Sequence, residues 1–315
     1  MNCRASAKKF TPSASFQDTR ASQNVTYVTA SVSGDVGIDE VRVIQNMDKV
    51  EMKLIAVTSE ENTAGTQSDG IVGLTPGATN GGDLLVSKLY DSKLIGNKTF
   101  GLDINPKAEG NSKIIFGGYD TSIVGENPTF AYISLRSTAD WRVTVNRIKY
   151  DNVTFYAKGG IGVFDCGTSV TTFQYGVYFS ILTQICRGKV CFKVSSGDYI
   201  NFYASACNSY DDFANITFQL GSYDFNWANS RYINETTIDD QNVCVFMFNG
   251  KDFSDSADFI LLGANFFYDY YVYHDIQNKR IGLYGDYTDA PDSAFSYTAF
   301  TAILSIIGVI FLIIE

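Results

Sequence analysis

Most of this chain alternates apolar and polar residues over short runs, and the runs stop at glycine, asparagine or aspartate. Such runs occupy residues 24–32, 37–43, 51–57, 112–116, 130–135, 141–148, 213–220 and 270–275. A period of two puts one face of each run on a core and the other in water, which predicts short strands and an all-β protein. Helical stretches are few, and residues 84–94 and 175–186 are the better candidates. No internal repeat or low-complexity tract is visible. The 315 residues suffice for two domains or one large β-rich one. With 45% hydrophobic and 18% charged residues the chain builds a core and is not a disordered polyelectrolyte. Composition shifts from Gly/Ser-rich to Tyr/Asn-rich near residues 125–135, where a domain boundary is expected.

Charge narrows the partners. The 34 acidic against 24 basic residues give a net charge of −10, and no basic run interrupts it. Such a chain repels phosphate backbones, so nucleic acid is not expected as a partner. The single histidine, His274, excludes a His-rich zinc site. Ser–His or Cys–His machinery would rest on that one residue, and no matching serine or cysteine constellation surrounds it in sequence, so it reads as structural.

Compartment signals conflict. Asn-x-Thr sequons occur at Asn24, Asn97, Asn152, Asn215 and Asn234, which favours a secretory route. Six cysteines agree with an oxidising compartment. Residues 303–314 are almost all apolar and only Glu315 follows. Asp292-Ser293-Ala294, a spacer and that tail fit the layout of a GPI signal with Asp292 as the attachment candidate. A single membrane span is the other layout, reached by including Ser296, Tyr297 and Thr298. A packed core helix is the third. On either membrane reading the body is attached through its C-terminal tail, at a cell surface or in an acidic vacuole. Residues 1–16, however, hold no apolar leader, so the chain is expected to start downstream of a signal peptide.

Several segments then occur in a telling order. Val25-Thr26-Tyr27 leads into Ser31-Val32-Ser33-Gly34-Asp35-Val36-Gly37, and Asp69-Gly70-Ile71-Val72-Gly73-Leu74 follows. Later come Val163-Phe164-Asp165-Cys166-Gly167-Thr168-Ser169, Ile260-Leu261-Leu262-Gly263, Tyr270-Tyr271-Val272-Tyr273-His274-Asp275 and Lys279-Arg280-Ile281-Gly282-Leu283. Together they resemble the pepsin-like aspartic proteases over nearly the whole body of the chain. The resemblance implies an all-β, bilobal acid-protease fold in which two aspartates share a proton and activate water against a peptide bond. It makes Asp165 the catalytic aspartate of the second lobe, supported by Gly167 and Thr168. Tyr27 takes the place of the flap tyrosine, with Thr29 beside it. Ile260–Gly263 and the segment 69–74 are the paired strands against which the two aspartate loops thread. The resemblance also pairs Cys207 with Cys244, and Cys186 with Cys191 to close a small loop.

The same resemblance exposes departures. No Asp-Thr-Gly precedes Tyr27 at the family's spacing; Asp18-Thr19-Arg20 lacks the glycine. The first lobe is therefore expected to be incomplete, with its aspartate and the partner of Cys3 encoded upstream. Cys166 replaces a hydroxyl residue, and Val28 and Ala30 stand where the flap usually carries glycines. The expected organisation is a partial N-terminal lobe with flap over 1–130, a C-terminal lobe over 131–288 and a linker and attachment tail over 289–315. The expected function is acid endopeptidase action on polypeptides by a monomer without metal or organic cofactor. The alternatives are a non-catalytic relative that keeps the cleft and binds peptides, and a Tyr-rich surface protein with no ligand.

Overall fold

The computed structural model describes residues 10–27, 30–43, 45–61, 70–77, 81–105, 112–195, 197–253 and 258–290. In chain order it begins with β1 (Gln17–Thr26), β2 (Ser31–Val41), β3 (Val50–Glu61), α1 (Leu85–Asp91), β4 (Thr99–Asp103), β5 (Lys113–Phe116), α2 (Thr121–Val124) and β6 (Ala131–Ser134). Next come β7 (Arg142–Tyr150), β8 (Val153–Tyr156), β9 (Gly160–Phe164), β10 (Thr171–Gln174), α3 (Tyr175–Ile185), β11 (Cys191–Lys193) and β12 (Tyr203–Ala206). The rest are β13 (Ile216–Leu220), β14 (Tyr223–Trp227), α4 (Asn229–Tyr232), β15 (Ile233–Ile238), β16 (Gln241–Phe246) and β17 (Phe248–Lys251). After them follow β18 (Phe259–Leu262), α5 (Ala264–Phe267), β19 (Tyr270–Asp275), β20 (Arg280–Gly285) and β21 (Tyr287–Asp289). The fold is all-β, as the alternation predicts.

Four sheets organise these strands. Strands β1, β2 and β3 form an antiparallel three-stranded sheet. A nine-stranded sheet runs β17-β10-β18-β9-β7-β13-β14-β21, with β8 on β7. A four-stranded sheet runs β11-β12-β16-β15, and a five-stranded sheet runs β5-β4-β19-β20-β6. In β9 and β13 every second residue is buried, the pattern of a strand with one face on a core. In β19 all six residues are buried, because this strand is covered on both faces. Tyr270 and Val272 join the main core, while Tyr271 and Tyr273 pack with Phe130 and Val124 in a separate cluster.

The main core gathers Ile148, Phe173, Phe218, Trp227, Phe248 and Phe266, all essentially without exposure. Each such side chain stabilises the fold by roughly 1.5–3 kcal/mol. Helix α3 lays Val177, Ile181, Leu182 and Ile185 onto it. A smaller cluster joins Leu85 and Leu89 of α1 to Val50 and Met52 of β3.

Three local expectations change. Residues 24–32 are not one strand but the closing end of the β1–β2 hairpin: Thr26 pairs with Ser31, and the Tyr27 N–H donates to Ala30 O at 2.7 Å. The alternation runs in phase through both arms, so no break in pattern marks the reversal. The helix over 84–94 stops at Asp91, where Lys93 takes φ 60° and Leu94 N–H reaches back to Leu89 O. The run 213–220 becomes a strand only from Ile216, because Ser209 to Phe213 forms a short capped turn.

Both disulfides implied by the resemblance are present, Cys186–Cys191 and Cys207–Cys244. Cys3, Asp292 and the apolar tail lie outside the described residues. No described helix is long and apolar enough to cross a membrane.

Candidate active site

Asp165 follows β9 directly, in a loop that leads into β10. Strand β18 runs between those two strands, parallel to β9 with Leu262 beside Phe164 and antiparallel to β10 with Leu261 beside Thr172. The loop is therefore carried by strands adjacent to a third strand about a hundred residues later in sequence. Asp165 N–H donates to Leu262 O at 3.0 Å, and Ala264 N–H donates to Thr168 O at 2.7 Å. Gly263 completes the fit. A Cβ there would stand 2.6 Å from the carbonyl carbon of Val170, so no larger residue allows the loop to approach β18 so closely.

Within the loop, the Gly167 N–H donates to Asp165 Oδ1 at 3.0 Å and the Thr168 hydroxyl donates to Oδ2 at 2.5 Å. Both bonds hold the carboxyl group in one rotamer. Asp165 is half-buried, and Cys166 and Gly167 are exposed. The loop thus offers water or a substrate group a fixed acceptor at the protein surface. The described residues form no hydrogen bond between Asp165 and a second carboxylate, and they contain no cluster of three or more His, Cys, Asp or Glu that would hold a metal.

Cys166 is the free thiol of the described residues. Withdrawal of its sulfur from water, with the Asp165 carboxylate next to it, pushes the thiol above its ordinary pKa. It is accordingly a poor nucleophile. His274 is 3% exposed, stacked face to face on Phe100 at 4.1 Å with the edge of Trp141 at 4.6 Å. It lies in the core, as a structural residue does.

The first half of the chain contributes less. Tyr27 stands at the closed end of the β1–β2 hairpin, 39% exposed, with its phenol pushed up by partial burial. Thr29 and Val28 are outside the described residues, as is Asp69. Residues 71–74 form no strand, unlike β18. Ile71 and Val72 are 59% and 66% exposed, and a Cβ at Gly73 would meet nothing within 4 Å. Leu74 is the anchored end of that segment, its carbonyl accepting from Trp141 Nε1 at 2.8 Å. Sequence reasoning passed over Asn265, which is 3% exposed and bonds the start of β10. An asparagine two residues past a glycine reads as a turn residue, so no local signal distinguishes it.

A two-lobed all-β scaffold presenting an aspartate on an Asp-x-Gly-Thr loop that is laced to a neighbouring apolar-apolar-Gly strand defines the class of acid-protease folds. Comparison places the chain within it: the family described as eukaryotic aspartyl protease matches residues 2–284, and the chain belongs to that family. Similar relatives include pepsin A of Sus scrofa, 26% identical over 86% of this chain and 68% of the relative. Pepsin A of Bos taurus is 26% identical over 87% and 72%, and pepsin A of Gallus gallus 25% over 89% and 75%.

Proposed function

We propose that this chain carries the Asp165 half of an aspartic endopeptidase site and acts on polypeptides at acid pH. The observation that carries the reading is the grip on both oxygens of the Asp165 carboxylate, by Gly167 N–H and Thr168 Oγ1. A carboxylate fixed this way takes the proton of a water as that water attacks a peptide carbonyl. Hydrolysis by this route needs a second carboxylate to polarise the carbonyl and protonate the leaving amine, and the pair titrates as one unit. That partner comes from outside the described residues. Tyr27, on the flap hairpin, covers the bound peptide.

In this reading residues 1–130 and 131–288 are the two lobes, and 289–315 the linker and membrane-attachment tail with Asp292 as anchor site. The two disulfides support the secretory route. Of the sequons, Asn24, Asn97 and Asn152 are exposed; the Asn152 amide donates to Asp151 Oδ1 at 3.3 Å, and Asn24 is the preferred glycan site. The amides of Asn97 and Asn234 already donate to Gly117 O and Tyr199 OH, and Asn215 accepts from Asn229 N–H.

The exposed Cys166 beside Asp165 favours one second reading, a peptide-binding relative without cleavage. A single comparison separates the two. The full-length gene product from a secreting host and its Asp165→Asn variant are given a fluorogenic peptide with apolar residues at the scissile bond, and separately a statine-containing peptide. Cleavage lost in Asp165→Asn establishes the protease. Statine-peptide binding without cleavage establishes the binding protein, and neither signal refutes both.

A further inference from the structure

Four consecutive residues hold the Asp165 loop, three through the backbone and one through its side chain. Leu262 accepts from Asp165 N–H through its carbonyl, and Ala264 donates its N–H to Thr168 O. Gly263 donates its N–H to Thr171 Oγ1 at 3.2 Å and lets Val170 approach. The fourth, Asn265, is the only one that acts through a side chain. Its Oδ1 accepts from Thr171 N–H at 2.8 Å and from Thr171 Oγ1 at 3.0 Å. Its Nδ2 donates to Met247 O at 2.8 Å and to Arg231 O at 3.4 Å. Its own carbonyl accepts from Trp227 Nε1 at 3.1 Å.

Every hydrogen-bonding position of this carboxamide is therefore filled, in surroundings that exclude water. The side chain is buried and its contacts are hydrogen bonds to Thr171, Met247 and Arg231, none of which an apolar residue could make. A fully satisfied buried polar network selects one arrangement of the strands around it. The strands in question are β10, which carries the loop's exit, and β17, which pairs with β10 from Phe248 onward, one residue after Met247. Thr171 is wholly buried and its hydroxyl both donates to Asn265 and accepts from Gly263, so Thr171 and Asn265 act as one bolt.

We propose that Asn265, through Thr171, is a positioning residue that sets the register and rigidity of the Asp165 loop. The role assigned to the loop rests on the reading of Asp165 as the reactive carboxylate; the bolt itself rests on the hydrogen bonds of Thr171 and Asn265.

The test uses the full chain with three variants: Asn265→Leu, Thr171→Val, which keeps the backbone bond and shape but loses the hydroxyl, and Thr171→Ser, which restores it. Amide hydrogen exchange is read at Gly167 and Thr168 in the loop and at Phe218 in β13 as a distant reporter. Affinity for a statine-containing peptide is read alongside. In Thr171→Val the loop amides are expected to exchange on the order of tenfold faster, as loss of a buried hydrogen bond implies, with Phe218 unchanged and Thr171→Ser close to wild type. Statine-peptide affinity is expected to fall in parallel. Equal acceleration at Phe218 and the loop, or none at the loop, overturns the proposal by reducing the bolt to general stability. Thr171→Val decides the matter even if Asn265→Leu fails to fold. Failure of the functional reading shows elsewhere, as statine-peptide affinity indifferent to Asp165→Asn.

Discussion

Replacing His274 by phenylalanine is predicted to make the protein more stable in acid while leaving its neutral stability nearly unchanged. The imidazole is fully buried in β19, stacked on Phe100 and edged by Trp141. Burial drives its pKa from 6.5 down to about 3, so the folded protein keeps it neutral. The unfolded chain binds a proton there once pH drops below about 6.5. Below that value the unfolded state holds the extra proton, and stability falls with pH until the folded pKa is reached. The slope approaches about 1.4 kcal/mol per pH unit, and the loss is about 2–3 kcal/mol by pH ~4.5. Phenylalanine keeps the ring in the stack and has nothing to protonate. Carboxylates held low by hydrogen bonds, such as Asp39 and Asp120, lose their contribution only below their unfolded pKa of 3.8, so they leave this window clear. Asp103, held high by burial, acts with the opposite sign near the lower end. Urea unfolding followed by fluorescence of Trp141 and Trp227 at several pH values reads the difference. Identical pH slopes for wild type and His274→Phe between pH ~6.5 and ~4.5 would refute the argument.

The other outcomes follow from contacts elsewhere in the fold. Gly263→Ala forces a Cβ to within 2.6 Å of the Val170 carbonyl carbon and is expected to cost about 1–3 kcal/mol and displace the Asp165 loop. Gly73→Ala meets nothing within 4 Å and should stay within about 0.5 kcal/mol by thermal melting. Removing Cys207–Cys244, with its separation of 37 residues, should cost about 4 kcal/mol, against about 2 for Cys186–Cys191 with its separation of 5; equal losses in denaturant titrations would contradict the loop-length argument. Asp224→Ala leaves Arg147 and Lys149, which bond it at 3.2 and 2.9 Å, without their counter-charge in a largely buried setting, at about 3 kcal/mol in the same assay.

What the sequence made legible was local. Alternation located strands such as β3, β6, β7 and β13 because a sheet with one wet face writes its period directly into residue order. It missed the reversal after Tyr27, where two arms in phase look like one strand, and it placed β19 over residues 270–275 without showing that all six of them are buried. The Asp165 loop was legible because the aspartate, the glycine and the threonine that grip it lie within four positions. Its support was not. Asn265 lies 94 residues beyond Thr171, and no periodicity links an amide to a hydroxyl at that distance.

The two apolar-apolar-Gly segments sharpen that point, since sequence reading treated 69–74 and 260–263 as counterparts. Around Gly263 the chain supplies β9 on one side and β10 on the other, and the space left by the missing side chain is used to the limit of contact. Around Gly73 the described residues supply neither, and the flanking Ile71 and Val72 remain largely in water. The same tripeptide pattern is therefore a strand in one place and irregular in the other. A strand of this kind needs neighbours on both edges to satisfy its backbone groups and cover its side chains, and the apolar run alone does not provide them. The motif specifies what the segment can join, and the partner decides whether it becomes a strand.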